Sequence, residues 1–178
     1  EVVKNETYKA TYTTVTNKYT VTFKNDDGTV IESAQYNYGD MPKCSKEPVK
    51  PATKEFTYIF AGWDKAVDKV VGDAEYKATY TSSKNSYTII FADEDGTTIK
   101  SYTVEYGVVP EYDGETPVKS STTQYKYEFA GWDPAVVSVE GDATYKATYK
   151  SELRKYVVIF KNDDVELQRS EVAYGTVP

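Results

Sequence analysis

Apolar residues recur along this chain in short blocks of period two, and no block is long enough for more than a strand. Tyr87, Ile89 and Phe91 interleave with Thr88, Ile90 and Ala92, the spacing that turns one side of a strand toward a core. Asp93-Glu94-Asp95-Gly96 then predicts a turn, with Gly96 suited to positive φ. A second strand is expected from about Thr97 to Tyr106. Its apolar positions change phase between Ile99 and Tyr102, which a β-bulge near Lys100–Ser101 would absorb. Residues 108–119, rich in Pro, Gly and acidic side chains, predict an extended crossover. Ser120–Gln124 is expected to hold one short helical turn. Tyr125, Tyr127 and Phe129 alternate as a third strand, and Gly131-Trp132-Asp133-Pro134 is expected to turn the chain. The last strand is Thr144–Tyr149, with Tyr145, Ala147 and Tyr149 on one face.

The pattern repeats. Tyr8-Lys9-Ala10-Thr11-Tyr12 recurs at Tyr76–Tyr80 and at Tyr145–Tyr149, steps of 68 and 69 residues. Phe60-Ala61-Gly62-Trp63-Asp64 recurs at Phe129–Asp133, and Tyr38-Gly39 recurs at Tyr106-Gly107 and Tyr174-Gly175. One constant period defines the units. Residues 1–17 match the end of a repeat, 18–85 form repeat 1, 86–155 form repeat 2, and 156–178 match the first hairpin of another. Polar connectors are expected at Thr13–Lys18, Thr81–Ser86 and Lys150–Lys155.

Each repeat therefore predicts a mainly β unit: one four-stranded sheet whose apolar face is covered by the crossover loop or a short helix. Its core is expected to comprise Phe23, Phe60, Trp63 and Tyr80 in repeat 1, and Phe91, Phe129, Trp132 and Tyr149 in repeat 2. Truncating a core Trp to Ala typically costs ~3–5 kcal/mol. Tandem units on short connectors predict an elongated rod.

Composition narrows the function. The net charge of −7 opposes binding to nucleic acid or anionic membranes, which call for clustered Lys and Arg. No apolar run approaches the ~20 residues of a membrane helix. The chain has 18 Tyr and no His, so the commonest general base and metal ligand is missing. Its lone Cys44 has no partner for an internal disulfide and no His to activate it. The acidic turns at Asn25–Gly28, Asp93–Gly96 and Asn162–Asp164 lack the calcium-loop pattern with its distal Glu, and hairpin turns favour the same residues. Asn5-Glu6-Thr7 matches a glycosylation acceptor, but Asp142 occupies the corresponding place in repeat 2, which points to a turn residue. Lys9, Lys77 and Lys146 recur without a recurring Asn, so an intramolecular Lys–Asn crosslink is not indicated. Tyr36, Tyr58, Tyr102 and Tyr112 are the tyrosines to inspect for an exposed aromatic patch; no binding patch is assigned.

Tyr87–Gly96 followed by Glu105-Tyr106-Gly107, then Gly114-Glu115-Thr116-Pro117, Tyr127–Pro134 and Gly141–Tyr149, resembles the Listeria–Bacteroides repeat, the family of the internalin B "B repeats". The resemblance covers nearly the whole chain. It implies a compact β-grasp-like (ubiquitin- or SUMO-like) unit, set in tandem in bacterial surface or secreted proteins and mostly serving as a spacer. No catalytic residue and no cofactor come with it. The two repeats differ at Met41-Pro42-Lys43-Cys44 against Val109-Pro110-Glu111-Tyr112, and at Lys65 against Pro134, so a surface used by one need not be shared by the other.

Three functions are in play. The first is a non-catalytic spacer or stalk on a bacterial cell surface or in a secreted protein, its only sure neighbours being other repeats of the chain. The second is an adhesion module gripping a host protein or glycan through an aromatic patch or a free sheet edge. The third is a module appended to a secreted polysaccharide-degrading enzyme.

Overall fold

The computed structural model describes residues 1–177, and they divide into two compact units, Glu1–Ser83 and residues 84–177. In the first, β1 (Lys18–Lys24), β2 (Val30–Asn37), β3 (Phe56–Trp63) and β4 (Ala74–Lys84) form one sheet in the order β2-β1-β4-β3. In the second, β5 (Ser86–Ala92), β6 (Thr98–Glu105), β7 (Tyr125–Asp133) and β8 (Ala143–Leu153) repeat the arrangement as β6-β5-β8-β7. A separate hairpin of β9 (Lys155–Asn162) and β10 (Val165–Ala173) follows. Residues 1–17 form no strand, although Tyr8–Tyr12 carries the β4 sequence.

Within each sheet the two middle strands run parallel. Val21 stands opposite Ala74 and Phe23 opposite Tyr76; in repeat 2, Ile89 stands opposite Ala143 and Phe91 opposite Tyr145. A parallel pair cannot be closed by a tight turn, so the chain leaves β2 and β6 along a crossover that lies over the apolar face.

That crossover contains no helix, only extended stretches broken by bends. The short helix expected at Ser120–Gln124 is absent, because Thr122 takes a different local bond. Its hydroxyl accepts from the Tyr125 amide at 2.9 Å, and its own amide donates to the Tyr125 carbonyl. Thr53 and Phe56 repeat this in the first unit. A threonine that satisfies the backbone in this way competes with a helix. Among the described residues no helix forms, so the unit is all β.

The bulge expected near Lys100–Ser101 lies at Ile99. Phe91 faces Lys100 while Ala92 faces Thr98, leaving Ile99 unpaired. Ile31 and Leu167 are left out of their ladders in the same way. Two further corrections concern strand ends. The third strand of repeat 2 does not turn at Gly131; it continues to Asp133 after a bulge at Ala130, with Gly131 at φ +121°. That φ is one L-residues rarely adopt. Two of the three polar connectors are also strand: β4 continues to Lys84 and β8 to Leu153, where Leu153 pairs with Tyr125, whereas residues 13–17 form none. Only Asn85 separates β4 from β5.

Two sequence motifs gain a physical cause. The Asp73 carboxylate of Gly-Asp-Ala accepts from the Thr20 amide at 2.7 Å, and Asp142 does the same for Thr88. The threonines of the Tyr-x-Ala-Thr-Tyr strands donate to the carbonyls of the bulge glycines, Thr79 to Gly62 at 2.8 Å and Thr148 to Gly131 at 2.9 Å.

Candidate functional site: the aromatic cluster beneath the crossover

β1 and β5 supply the deepest side chains. Val21, Phe23, Ile89 and Phe91 are at most 1% exposed, because each strand is flanked on both edges and covered on one face. On Phe23 stand Trp63 at 4.7 Å between centroids and Tyr76 at 5.2 Å; on Phe91 stand Trp132 at 4.7 Å and Tyr145 at 5.4 Å. Phe60 and Phe129 each meet their indole edge-on at 5.3 Å, an arrangement that suits the ring quadrupoles.

The residues expected in the core therefore occupy three depths. Phe23 and Phe91 are buried. Trp63, Trp132, Phe60 and Phe129 are half-buried, shielding the buried pair from the side. Tyr80 and Tyr149 are half-buried with their hydroxyls used: Tyr80 donates to Asn25 at 2.6 Å and Tyr149 to Asp93 at 2.8 Å. Sequence reasoning missed Val70 and Val139, which are 3% and 2% exposed. They sit in polar stretches, but their amides and carbonyls bond the turn after the second strand: Gly39 donates to the Val70 carbonyl, and Gly107 to that of Val139. Their recurrence at the repeat period was the available signal.

The turns use their carboxylates inward. Asp27 and Asp95 accept from the amides of Thr29 and Thr97, and these bonds hold both carboxyls below the usual range. Lys50 pairs with Asp26 and lies 4.5 Å from the Tyr58 ring; Lys119 pairs with Glu94 and lies 4.5 Å from Tyr127. The pairing raises both ammonium pKa values. Each lysine straps the end of the crossover onto the sheet. Burial, then the bond to Asp93, pushes the Tyr149 phenol up to about 12. Among the described residues, no three His, Cys, Asp or Glu side chains converge as a metal site would require.

The crossover itself is tied down differently in the two repeats, and the differences come in matched pairs. In repeat 1 Tyr36 donates to the Lys43 carbonyl; in repeat 2 the corresponding carbonyl, Glu111, accepts from Tyr102, two residues earlier on its strand. In repeat 1 Glu32 accepts from the amide and hydroxyl of Ser45; in repeat 2 the equivalent pair is the ion pair Lys100–Asp113.

The third pair changes the shape of the surface. Tyr112 lays its ring 5.2 Å from Phe91 and 4.9 Å from Trp132, and its hydroxyl donates to the Glu115 carbonyl. The phenol passes directly over Gly114, where an added Cβ would stand 2.5 Å from the Tyr112 oxygen. Repeat 1 has Cys44 and Lys46 at these two places. The cysteine is too short to reach across. A cleft of 510 Å³ remains, walled by Phe23, Phe60, Trp63, Val67 and Cys44. The thiol donates to the Lys46 carbonyl at 3.2 Å, and burial pushes it up rather than toward a thiolate.

The hairpin keeps the core residues but not the cover. Val158 and Phe160 occupy the places of Ile89 and Phe91, yet Phe160 is 43% exposed. The hairpin is fastened to repeat 2 by the Tyr174 amide, which donates to the Arg154 carbonyl, and by the Tyr156 hydroxyl, which donates to that of Thr123.

Comparison with known proteins adds little. No known family profile matches the chain. A protein of Evansella cellulosilytica described as a Gly-rich membrane protein is 27% identical over 165 residues; the match takes in 83% of this chain but only 18% of that protein's length. In the present chain, among the described residues, no helix is long and apolar enough to cross a membrane. Two solved structures are similar. One is a pair of Streptococcal High Identity Repeats in Tandem (SHIRT) domains, domains 3–4 of a cell surface protein, at 18% identity and a TM-score of 0.35, covering 76% of this chain and 99% of that one. The other is Mub-RV, at 15% identity and a TM-score of 0.21, covering 74% and 97%. Likeness at these scores carries neither fold nor function to this chain.

Proposed function

We propose that this chain is part of a non-catalytic tandem-repeat region of a bacterial cell-surface or secreted protein, where it spaces and presents other domains. One observation carries the reading. The two repeats rebuild one sheet and one aromatic core from residues 68 or 69 positions apart, and the chain enters β5 a single residue after leaving β4. A polypeptide organised in this way is lengthened by copying a unit, without any unit depending on a distant one.

The finer identity follows the same line. The strand order, with two hairpins joined through a parallel central pair, supports a β-grasp-like unit in which an extended crossover takes the place of the helix. The Gly-Trp-Asp and Tyr-x-Ala-Thr-Tyr elements support kinship with Listeria–Bacteroides repeats. The carboxylates are spent on turns and on the ends of β1 and β5, which fits a structural role better than a catalytic one.

The test is dimensional. Chains with two, three and four complete repeats are compared by small-angle X-ray scattering. A spacer gains a constant increment in maximum dimension with each added repeat. A maximum dimension that levels off as repeats are added would refute the role.

A further inference from the structure

We propose that the cleft of repeat 1 is a binding site for a tyrosine side chain presented by an acidic segment of a partner protein. The chain itself supplies the template. In repeat 2 the same position between the buried Phe and the half-buried Trp holds a phenol, that of Tyr112, with its hydroxyl on the Glu115 carbonyl. In repeat 1 the two walls are retained, since Phe23 and Trp63 stand at the same 4.7 Å as Phe91 and Trp132. Phe60 also keeps the edge-on contact of its counterpart. The occupant is missing, because Cys44 stands where Tyr112 does; Lys46 replaces Gly114, so an incoming ring rests between Phe23 and Trp63 with its hydroxyl turned away from the place the Tyr112 oxygen takes in repeat 2. At 510 Å³ the cleft falls within the ~300–1,000 Å³ typical of ligand pockets. An aromatic ring edge-on to an indole in such a place gains both apolar burial and a favourable quadrupole contact.

Charge selects the kind of segment that carries the ring. The cleft of repeat 1 is lined by Lys43, Lys46 and Glu47. The corresponding residues of repeat 2 are Glu111, Gly114 and Glu115. The nearby Glu32 is engaged by Ser45, with bonds at 2.6 and 2.7 Å. In a chain of net charge −7, two lysines at the mouth of an open aromatic cleft favour acidic residues on either side of the incoming tyrosine. The proposal is independent of the spacer role, which the failure of this site would leave standing.

The test uses the whole chain, labelled with ¹⁵N, and a synthetic peptide carrying one tyrosine between two aspartates and two glutamates. The indole N–H signals of Trp63 and Trp132 serve as site and internal control. The expected result is a saturable shift of the Trp63 signal with little change at Trp132. Replacing the peptide's tyrosine with alanine abolishes it. Neutralising both lysines, Lys43→Gln with Lys46→Gln, weakens binding roughly fivefold, the effect of two exposed ion pairs. Giving repeat 1 the plug of repeat 2, Cys44→Tyr with Lys46→Gly, abolishes binding while the dispersed spectrum of a folded chain is retained. The proposal is overturned by no Trp63 shift at millimolar peptide, by equal shifts at both indoles, or by undiminished binding of the alanine peptide. It is also overturned by undiminished binding to the plugged variant, and by an oligosaccharide that shifts Trp63 where the peptide does not. Equal binding of a peptide with lysines around its tyrosine overturns the acidic specificity.

Discussion

Phe91→Ala is the substitution whose outcome the structure fixes most sharply. The ring is fully buried and has four aromatic neighbours, Tyr102, Tyr112, Trp132 and Tyr145, at centroid distances of 4.7–6.3 Å. Removing it forfeits ~1.5–3 kcal/mol of apolar burial. The neighbours belong to three strands and the crossover, so they cannot close the hole together, and the cavity brings the cost to ~3–5 kcal/mol. A repeat of ~70 residues has ~3–10 kcal/mol to lose, taking ~0.05–0.15 kcal/mol per residue. Repeat 2 should thus be unfolded or nearly so, while repeat 1, with its own core around Phe23, stays folded. Hydrogen exchange read by mass spectrometry on the whole chain resolves the two. Peptides from 86–153 should lose protection and peptides from 18–81 should keep it. Trp132→Ala, at a half-buried position, should cost less than Phe91→Ala. Protection that persists across 86–153, or that vanishes from both repeats at once, would refute the picture of two separately founded cores.

The remaining predictions probe particular contacts. Gly114→Ala drives a methyl into the Tyr112 phenol and should cost ~1–3 kcal/mol by overpacking; in a Tyr112→Cys background the same change should cost almost nothing, as a double-mutant cycle by chemical denaturation would show. Gly131→Ala forces φ +121° on a residue with a Cβ and should lower the stability of repeat 2 by ~1–3 kcal/mol. Gly141→Ala, with open space around it, serves as its thermal-melting control. The raised Tyr149 pKa makes repeat 2 sensitive to alkali: the unfolded phenol releases its proton near ~10 and the folded one near 12. This group is protonated in both states below that window, and its contribution to stability is lost as pH rises through it. Asp93→Asn, which supplies a neutral acceptor like Asn25, should move the Tyr149 midpoint down in a tyrosinate absorbance titration. An unchanged midpoint would show that the Asp93 charge does not matter.

What could be read from the sequence, and what could not, follows from which forces leave a local trace. The alternation of Tyr87, Ile89 and Phe91 gave β5 because one-sided burial leaves a period of two. The phase break in β6 gave a bulge, one residue from its place at Ile99. The ends of β4 and β8 left no such trace. Their last residues pair through the backbone, which is indifferent to the polarity of Lys84 or Glu152. The helix expected at Ser120–Gln124 failed for a related reason: a side chain–backbone bond at Thr122 outweighs composition. Val139 was hidden because its burial depends on the Gly107 turn reaching it from the far side of the sheet. The cleft was the least legible feature. The difference between Cys44 and Tyr112 stands plainly in the sequence, but its meaning requires knowing that this position overlies Phe23 and Trp63.

The matched pairs between β2 or β6 and the crossover also bear on how such a gene can change. Tandem copies invite recombination with one another, and not every breakpoint yields a foldable product. A junction falling between codons 112 and 114 would set tyrosine against a bulky lysine where its ring needs bare backbone. One falling between the second strand and the loop would bring Glu32 against Asp113, carboxylate to carboxylate. Residues 32–46 and 100–114 are therefore expected to be inherited as blocks, with exchange confined to the strands on either side.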